Sequence, residues 1–235
     1  NTPPGSIGTI SKWIRKGKLS KNSKLLEIAC NTGFSSRAIN NYLGCEIHGF
    51  DISEKAISEA RNLVNKLKNN IHFSVGDAHD MPYENSIFTH IIAGCTFGFF
   101  DDMRKVLEEC YRVLKPGGII CVSNFYYHRN PPDSLVFEVN KLVDIPNKNR
   151  MTLASWDRLY GDQFSLIYRS NCISPPDCPK EIQGCIDDFF EKEFPDSKFT
   201  STERDSAYNR LLQTRLLLNK VKNYHGVCVD LWKKK

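Results

Sequence analysis

At 235 residues, with 40% hydrophobic and 25% charged side chains, the chain has material for one substantial core and the composition of an ordinary globular protein. No apolar run approaches the roughly 20 residues a membrane helix needs, and the first residues lack the charged-then-apolar layout of a secretion signal, although a chain opening on Asn1 leaves open what precedes it. The net charge of +5 is dispersed except at Arg15-Lys16-Gly17-Lys18 and Lys233-Lys234-Lys235, so it reads as solvated ends and selects neither nucleic acid nor membrane as partner.

Ile7, Ile10, Trp13 and Ile14 recur at helical spacing and predict a lead-in helix, ended by the turn-forming stretch 17–22. Residues 24–30 form a short apolar run that reads as a first strand, and Asn31-Thr32-Gly33 as a tight turn into a helix capped by Ser35 or Ser36 and reaching Leu43. A second strand over 46–50 ends at Asp51, and the helix starting at Ser53 places Ala56, Ile57, Ala60, Leu63, Val64 and Leu67 on one apolar face. A third strand over 71–75 runs into Gly76-Asp77-Ala78, and a fourth over 88–93 follows the turn chemistry of Pro82, Glu84 and Asn85. The helix over 102–114 stops at Lys115-Pro116-Gly117-Gly118, and 119–123 reads as a fifth buried strand.

Strands alternating with helices at this spacing predict right-handed crossovers and a mostly parallel sheet covered on both faces, with ligands outside the carboxyl ends of the strands. Glu27, Asp51 and Asp77 stand at or near those ends. This core spans 20–127 within a single domain over 1–235. Beyond it, 152–160 reads as helix, 164–168 as a sixth strand and 224–232 as a seventh. Between the last two, an insert over about 172–222 carries prolines, then Ile182, Ile186, Phe189 and Phe190, then a helix with Leu211, Leu212, Leu216 and Leu217; it reads as a helical cap over the open edge of the sheet.

Nine cysteines are an odd number, and Cys30, Cys95, Cys121 and Cys228 sit in apolar or near-apolar runs where a thiol behaves as a small hydrophobe, so reduced thiols of a cytoplasmic protein are expected. Cys172, Cys178 and Cys185 lack paired C-x-x-C spacing, and no metal site is expected there.

The turn after the first strand invites comparison with the dinucleotide fingerprint G-x-G-x-x-G, but only Gly33 survives, with Ala29 and Asn31 in glycine-like places. A bulky diphosphate is poorly accommodated, which argues against a nicotinamide dinucleotide. Four segments carry a different resemblance: Leu26-Glu27-Ile28-Ala29-Cys30-Asn31-Thr32-Gly33, Phe50-Asp51-Ile52-Ser53, Gly76-Asp77-Ala78-His79-Asp80-Met81-Pro82-Tyr83, and Glu109-Cys110-Tyr111-Arg112-Val113-Leu114-Lys115-Pro116-Gly117-Gly118. In order and spacing they resemble the class I S-adenosylmethionine-dependent methyltransferases, in particular the small-molecule group whose first motif is approximately L-E-I-G-C-G-T-G. The resemblance fades after Tyr127. It implies a Rossmann-like sheet of seven strands, S-adenosyl-L-methionine as cofactor with S-adenosyl-L-homocysteine as product, and methyl transfer to N, O or C of a small-molecule metabolite.

The resemblance also implies roles. The turn with Glu27, Ala29, Cys30 and Gly33 would hold the methionine part of the cofactor, whose carboxylate can also use amides at the following helix N-terminus. Asp51 would accept both ribose hydroxyls, an acid about 20 residues after the glycine turn being the general rule, with a helix-capping aspartate as the alternative. Ile52 would pack on the adenine. Asp77 and Ala78 would meet its amino group and ring edge, unless Asp77 is a turn aspartate, and Cys95 would line the floor below the sulfonium.

A base is optional in such a reaction. For a hydroxyl acceptor His128, just beyond the fifth strand, is the best-placed candidate, the alternative being a hydrogen-bonding loop histidine; His79 and His90 rank lower. Among Phe97, Phe99, Phe100, Tyr126 and Tyr127, which follow strands four and five, Phe97, Tyr126 and Tyr127 are the foremost candidates for acceptor contact, with Trp156, Tyr160 and Phe189 available from the second half. A nucleic-acid or protein methyltransferase would often show Asn/Asp-Pro-Pro-Tyr/Phe after strand four, where Gly94-Cys95-Thr96-Phe97 stands instead; Asn130-Pro131-Pro132-Asp133 follows strand five and reads as a loop. RNA is disfavoured without a basic domain carrying interleaved aromatics. A cofactor-binding protein without catalysis is the third reading, against which the cap argues. Oligomeric state is not legible.

Overall fold

In the computed structural model, which describes residues 2–64, 70–143, 150–193 and 200–235, strand and helix alternate through the first half of the chain as expected. The elements are α1 (Ser6–Gly17), β1 (Lys24–Ile28), α2 (Phe34–Leu43), β2 (Glu46–Asp51), α3 (Glu54–Val64), β3 (Ile71–Val75), β4 (Phe88–Gly94), a 3-10 turn (Phe97–Phe99), α4 (Met103–Val113) and β5 (Leu114–Tyr127). There follow α5 (Asp133–Val143), α6 (Leu153–Gly161), β6 (Phe164–Cys172), α7 (Pro179–Glu193), α8 (Ser201–Val221) and β7 (His225–Lys234). Leu67, placed by periodicity on the apolar face of α3, lies outside the described residues.

The seven strands form one sheet in the order β3-β2-β1-β4-β5-β7-β6. β1 pairs in parallel with β2 and β4, β2 with β3 and β4 with β5, while β6 runs antiparallel to β7. Strand order reverses between β1 and β4, the switch point where open α/β sheets hold their ligands.

The central strands bury both faces, so alternate residues feed two cores. Leu26, Ile28, Phe50, Ile91, Ala93, Ile120 and Val122 point to one, closed by Val106, Leu107, Cys110 and Val113 of α4 with Trp156 and Tyr160 of α6. Leu25, Ile47, Ile92 and Cys121 point to the other, closed by Ile10 and Trp13 of α1, Ile39 of α2 and Ile57, Ala60 and Val64 of α3. The indole of Trp13 donates to the Val122 carbonyl at 3.3 Å, so even this buried ring keeps its polar atom paired.

The chain divides into two compact units, one of Asn1–Tyr126, Asn149–Cys172 and Val227–Lys235, the other of Tyr127–Lys148 and Ile173–Gly226. The second unit includes α7 and α8 of the expected insert and adds α5. Within it Ile182, Ile186 and Phe190 of α7 pack against Ala207, Tyr208, Leu211, Leu212 and Leu216 of α8, while Phe189 is exposed. A capping box starts α8: Thr200 accepts from the Glu203 amide at 3.3 Å and its own amide donates to Glu203 at 3.0 Å.

β5 departs from expectation. Phe88 pairs with Leu114, then His90 with Ile119, so the strand begins at Leu114 and loops out around Lys115-Pro116-Gly117-Gly118, with Gly117 at φ 71. Among the described residues no helix is long and apolar enough to cross a membrane.

Candidate functional site

The site grows from the carboxyl ends of β1, β2, β3 and β4, all in the first unit. After β1 the chain turns through Ala29, Asn31 and Gly33 at φ 50, 49 and 71. Ala29 and Asn31 therefore adopt the left-handed backbone that glycine would take freely. Asn tolerates that region well, whereas Ala is strained there by about 1 kcal/mol. A Cβ on Gly33 would stand 2.2 Å from Cζ of Phe73, a β3 residue whose ring fills the space beside the turn. Glycine is thus required at 33 by packing as well as by backbone conformation.

Glu27, only 4% exposed, accepts from the Ser36 amide at 3.0 Å and the Ser36 hydroxyl at 2.5 Å. The expected serine cap of α2 is accordingly absent: Gly33 holds the cap position without a side-chain bond, and a carboxylate from the adjoining strand meets the amide inside the first turn. Burial pushes the Glu27 pKa up, with hydrogen bonds from Ser36 and Ser35 opposing it. Next to it, the Cys30 thiol is pushed up by burial and by the charges of Glu27 and Asp51, so it stays neutral.

Asp51, at the end of β2, joins two parts of the site. One carboxylate oxygen accepts from the Asn31 amide at 2.8 Å and the other from the Ser53 amide at 2.9 Å. The first bond ties it to the β1 turn, and the second is the local capping bond of the alternative reading; both are made at once. Each carboxylate oxygen retains a further lone pair. Ile52 beside it is 74% exposed, a large apolar side chain held at the mouth of the strand ends.

Asp77 forms a turn in which its Oδ1 accepts from the His79 amide at 2.9 Å and meets His79 Nδ1 at 2.7 Å. Those bonds hold its carboxyl below the usual range. Ala78 is buried in the core beside Met81. The loop that follows is clamped: buried Glu109 accepts from the Met81 amide at 2.8 Å and from Arg112 at 2.7 and 2.8 Å, and Arg112 also donates to the carbonyls of Met81 and Tyr83 at 2.9 and 2.6 Å. Cys95 follows β4 at φ 57, its amide donating to the Ser123 carbonyl at 2.8 Å and its thiol pushed up to about 12 by burial.

Glu27, Ala29, Cys30, Gly33, Asp51, Ile52, Asp77, Ala78 and Cys95 thus lie at the ends of adjacent strands, with direct contact between the turn and Asp51. Phe97 and Tyr126 are buried in the core of the first unit, Phe97 edge-on to Phe100 at 5.7 Å and to Tyr160 at 5.3 Å, while Phe99 is 51% exposed. Tyr127 begins the second unit and is partly buried. His128 also belongs to the second unit, its amide donating to the Tyr224 carbonyl at 2.9 Å; burial, with the neighbouring His128 and Lys222 as smaller causes, holds His225 down to about 4. His90 is committed to the fold, with one ring nitrogen at 2.9 Å from the Gly17 carbonyl and the other at 2.9 Å from the Thr89 hydroxyl. The contacts not anticipated include the Ser36 amide on Glu27, the Asn31 amide on Asp51, Phe73 against Gly33, the Glu109–Arg112 clamp, and His79 on Asp77. Only the last left a trace in sequence, an aspartate two residues ahead of a histidine at a strand end.

Among the described residues no disulfide joins two cysteines; Cys30, Cys45, Cys110, Cys121 and Cys228 are buried and Cys95 is partly so.

A family model described as "Methyltransferase domain" matches residues 19–170. A crystal structure of MccD protein superimposes with a TM-score of 0.88 at 35% identity, covering 100% of both chains. Demethylmenaquinone methyltransferase of Chlorobaculum parvum is 32% identical over 111 residues, 47% of this chain and 44% of that protein. Haemonchus contortus phosphoethanolamine N-methyltransferase 2, in complex with S-adenosyl-L-methionine, shares the fold with a TM-score of 0.74 at 19% identity, covering 99% of this chain and 53% of that one. The chain spans about half the length of the curated relatives it matches.

Proposed function

Since the chain belongs to the methyltransferase-domain family, the class I S-adenosylmethionine-dependent enzymes, we propose that it transfers a methyl group to a compact, partly apolar small molecule. The observation that carries this reading is Asp51, fixed through both oxygens by backbone amides and still able to accept two ribose hydroxyls, beside the exposed Ile52 that would support the adenine. Asp77 and Ala78 would meet the adenine edge. The turn over 29–33 would hold the methionine part, and because Glu27 engages the Ser36 amide, the cofactor carboxylate relies on the turn more than on that amide. When bound, S-adenosyl-L-methionine supplies a methyl carbon already activated by positive sulfur.

Catalysis by this chain then rests on positioning and exclusion of water. Cys95, at the floor, has its thiol pushed up to about 12; kept neutral, it does not compete with the acceptor for the methyl group. The acceptor's lone pair forms the new bond to carbon as the carbon–sulfur bond breaks, S-adenosyl-L-homocysteine leaves, and an N–H or O–H acceptor gives up a proton. Within the first unit Phe99, exposed after β4, is the candidate aromatic contact, ahead of the buried Phe97 and Tyr126. Gly94-Cys95-Thr96-Phe97 in place of a motif that grips a planar nucleobase nitrogen, and relatives named for a menaquinone precursor and phosphoethanolamine, support a small-molecule acceptor over RNA or protein. Buried thiols fit the reducing cytoplasm.

Calorimetric titration with S-adenosyl-L-methionine and S-adenosyl-L-homocysteine tests the reading. Dissociation constants on the order of micromolar, lost in Asp51→Ala, are expected; a folded wild type that binds neither ligand overturns it. Transfer of radiolabelled methyl to fractions of a metabolite extract then finds the acceptor.

A further inference from the structure

We propose that His79 is a positioning residue for adenine recognition: it orients the Asp77 carboxylate by tying the turn after β3 to the segment after β4. The proposal rests on the reading of Asp77 as the acceptor of the adenine amino group. Asp77 has a side chain 52% exposed to solvent, and an exposed carboxylate ordinarily samples several rotamers. Here its Oδ1 is held twice by one residue, by the His79 amide at 2.9 Å and by Nδ1 at 2.7 Å. On its other side Nε2 stands 3.0 Å from Oδ1 of Asp101, an approach without hydrogen-bond geometry that attracts when the ring is protonated, and the ring meets Phe100 edge-on at 5.7 Å. Asp101 Oδ1 also accepts from the Asp102 amide at 2.9 Å, and Asp102 caps α4 by accepting from the Lys105 amide at 3.0 Å.

His79 thus hydrogen-bonds Asp77 on one side and lies in electrostatic reach of Asp101, ahead of α4, on the other, so it brings together two strand-end segments that sequence separates by more than 20 residues. Holding Oδ1 by the His79 amide and ring restricts the rotation of the carboxylate and leaves Oδ2 as the oxygen those bonds do not use. An adenine amino group needs such an acceptor in a fixed direction, because a misaligned hydrogen bond weakens steeply.

The test is calorimetry on His79→Gln, Asp101→Asn and Asp77→Asn, each titrated with S-adenosyl-L-homocysteine and with its purine analogue lacking the 6-amino group. His79→Gln is expected to weaken S-adenosyl-L-homocysteine by about tenfold, and Asp101→Asn by less, while neither changes affinity for the deaminated analogue. Asp101 is exposed, so that variant keeps the test valid if His79→Gln disturbs folding. Unchanged S-adenosyl-L-homocysteine binding in both variants, or an equal loss for both ligands, overturns the proposal. If Asp77→Asn weakens S-adenosyl-L-homocysteine and His79→Gln does not, His79 alone was misassigned; if Asp77→Asn changes nothing, the reading of Asp77 falls and the proposal with it.

Discussion

Ala29 and Gly33 occupy the same left-handed backbone region four residues apart, yet they respond oppositely to exchange. Ala29→Gly relieves about 1 kcal/mol of strain and gives back part of it as unfolded-chain entropy, so a net gain of about 0.5 kcal/mol is expected. Gly33→Ala adds strain and drives a methyl into the Phe73 ring, and a loss of about 3 kcal/mol is expected. Urea unfolding with an unchanged slope measures both. At this scale the position of the acids at the strand ends was legible, because each stands where a short apolar run stops. Their partners were not. The bonds from Ser36 to Glu27 and from Asn31 to Asp51 join residues 9 and 20 positions apart, and they exist only once α2 folds back against β1 and β2 is laid beside it.

Among the elements, α4 contributes more than an apolar face, because Glu109 and Arg112 hold the loop that carries Asp77 and Ala78 into the site. Arg112 keeps the Glu109 carboxyl below its ordinary range, ahead of the opposing effect of burial. A folded-state pKa below the unfolded value gives stability that is present above the unfolded value, about 4.3 for glutamate, and is lost as pH falls through the folded one. Glu109→Gln should therefore lower the thermal midpoint at neutral pH and flatten its decline in acid, as a melting series from neutrality downward would record. An unchanged acid limb would remove Glu109 from that account. Element boundaries were legible where breakers and periodicity agreed. They failed at Lys115-Pro116-Gly117-Gly118, where proline and glycine stopped the helix as expected but pairing of Leu114 with Phe88 carried the strand back across them. α5 was missed because Asn130-Pro131-Pro132 reads as loop; proline just ahead of a helix with Asp133 in its first turn was the available signal.

Across the whole molecule, the first unit was legible because parallel strands covered on both faces write themselves as short apolar runs between helices, whereas the second unit has no such alternation to read. The chain carries a net charge of +5, yet Glu27, Asp51 and Asp77 place three carboxyl groups at consecutive strand ends. Cofactor and product differ by one formal positive charge, the sulfonium, so in the proposed site ionised acids at the strand ends would favour what enters over what leaves, because methyl transfer removes an attraction that the nucleoside contacts do not replace. Added salt, which shortens the reach of charge to about 8 Å at physiological strength, should weaken S-adenosyl-L-methionine more than S-adenosyl-L-homocysteine. Parallel titrations across a salt series would show the two affinities converging or crossing if the strand-end acids help expel the product, and falling together if they do not.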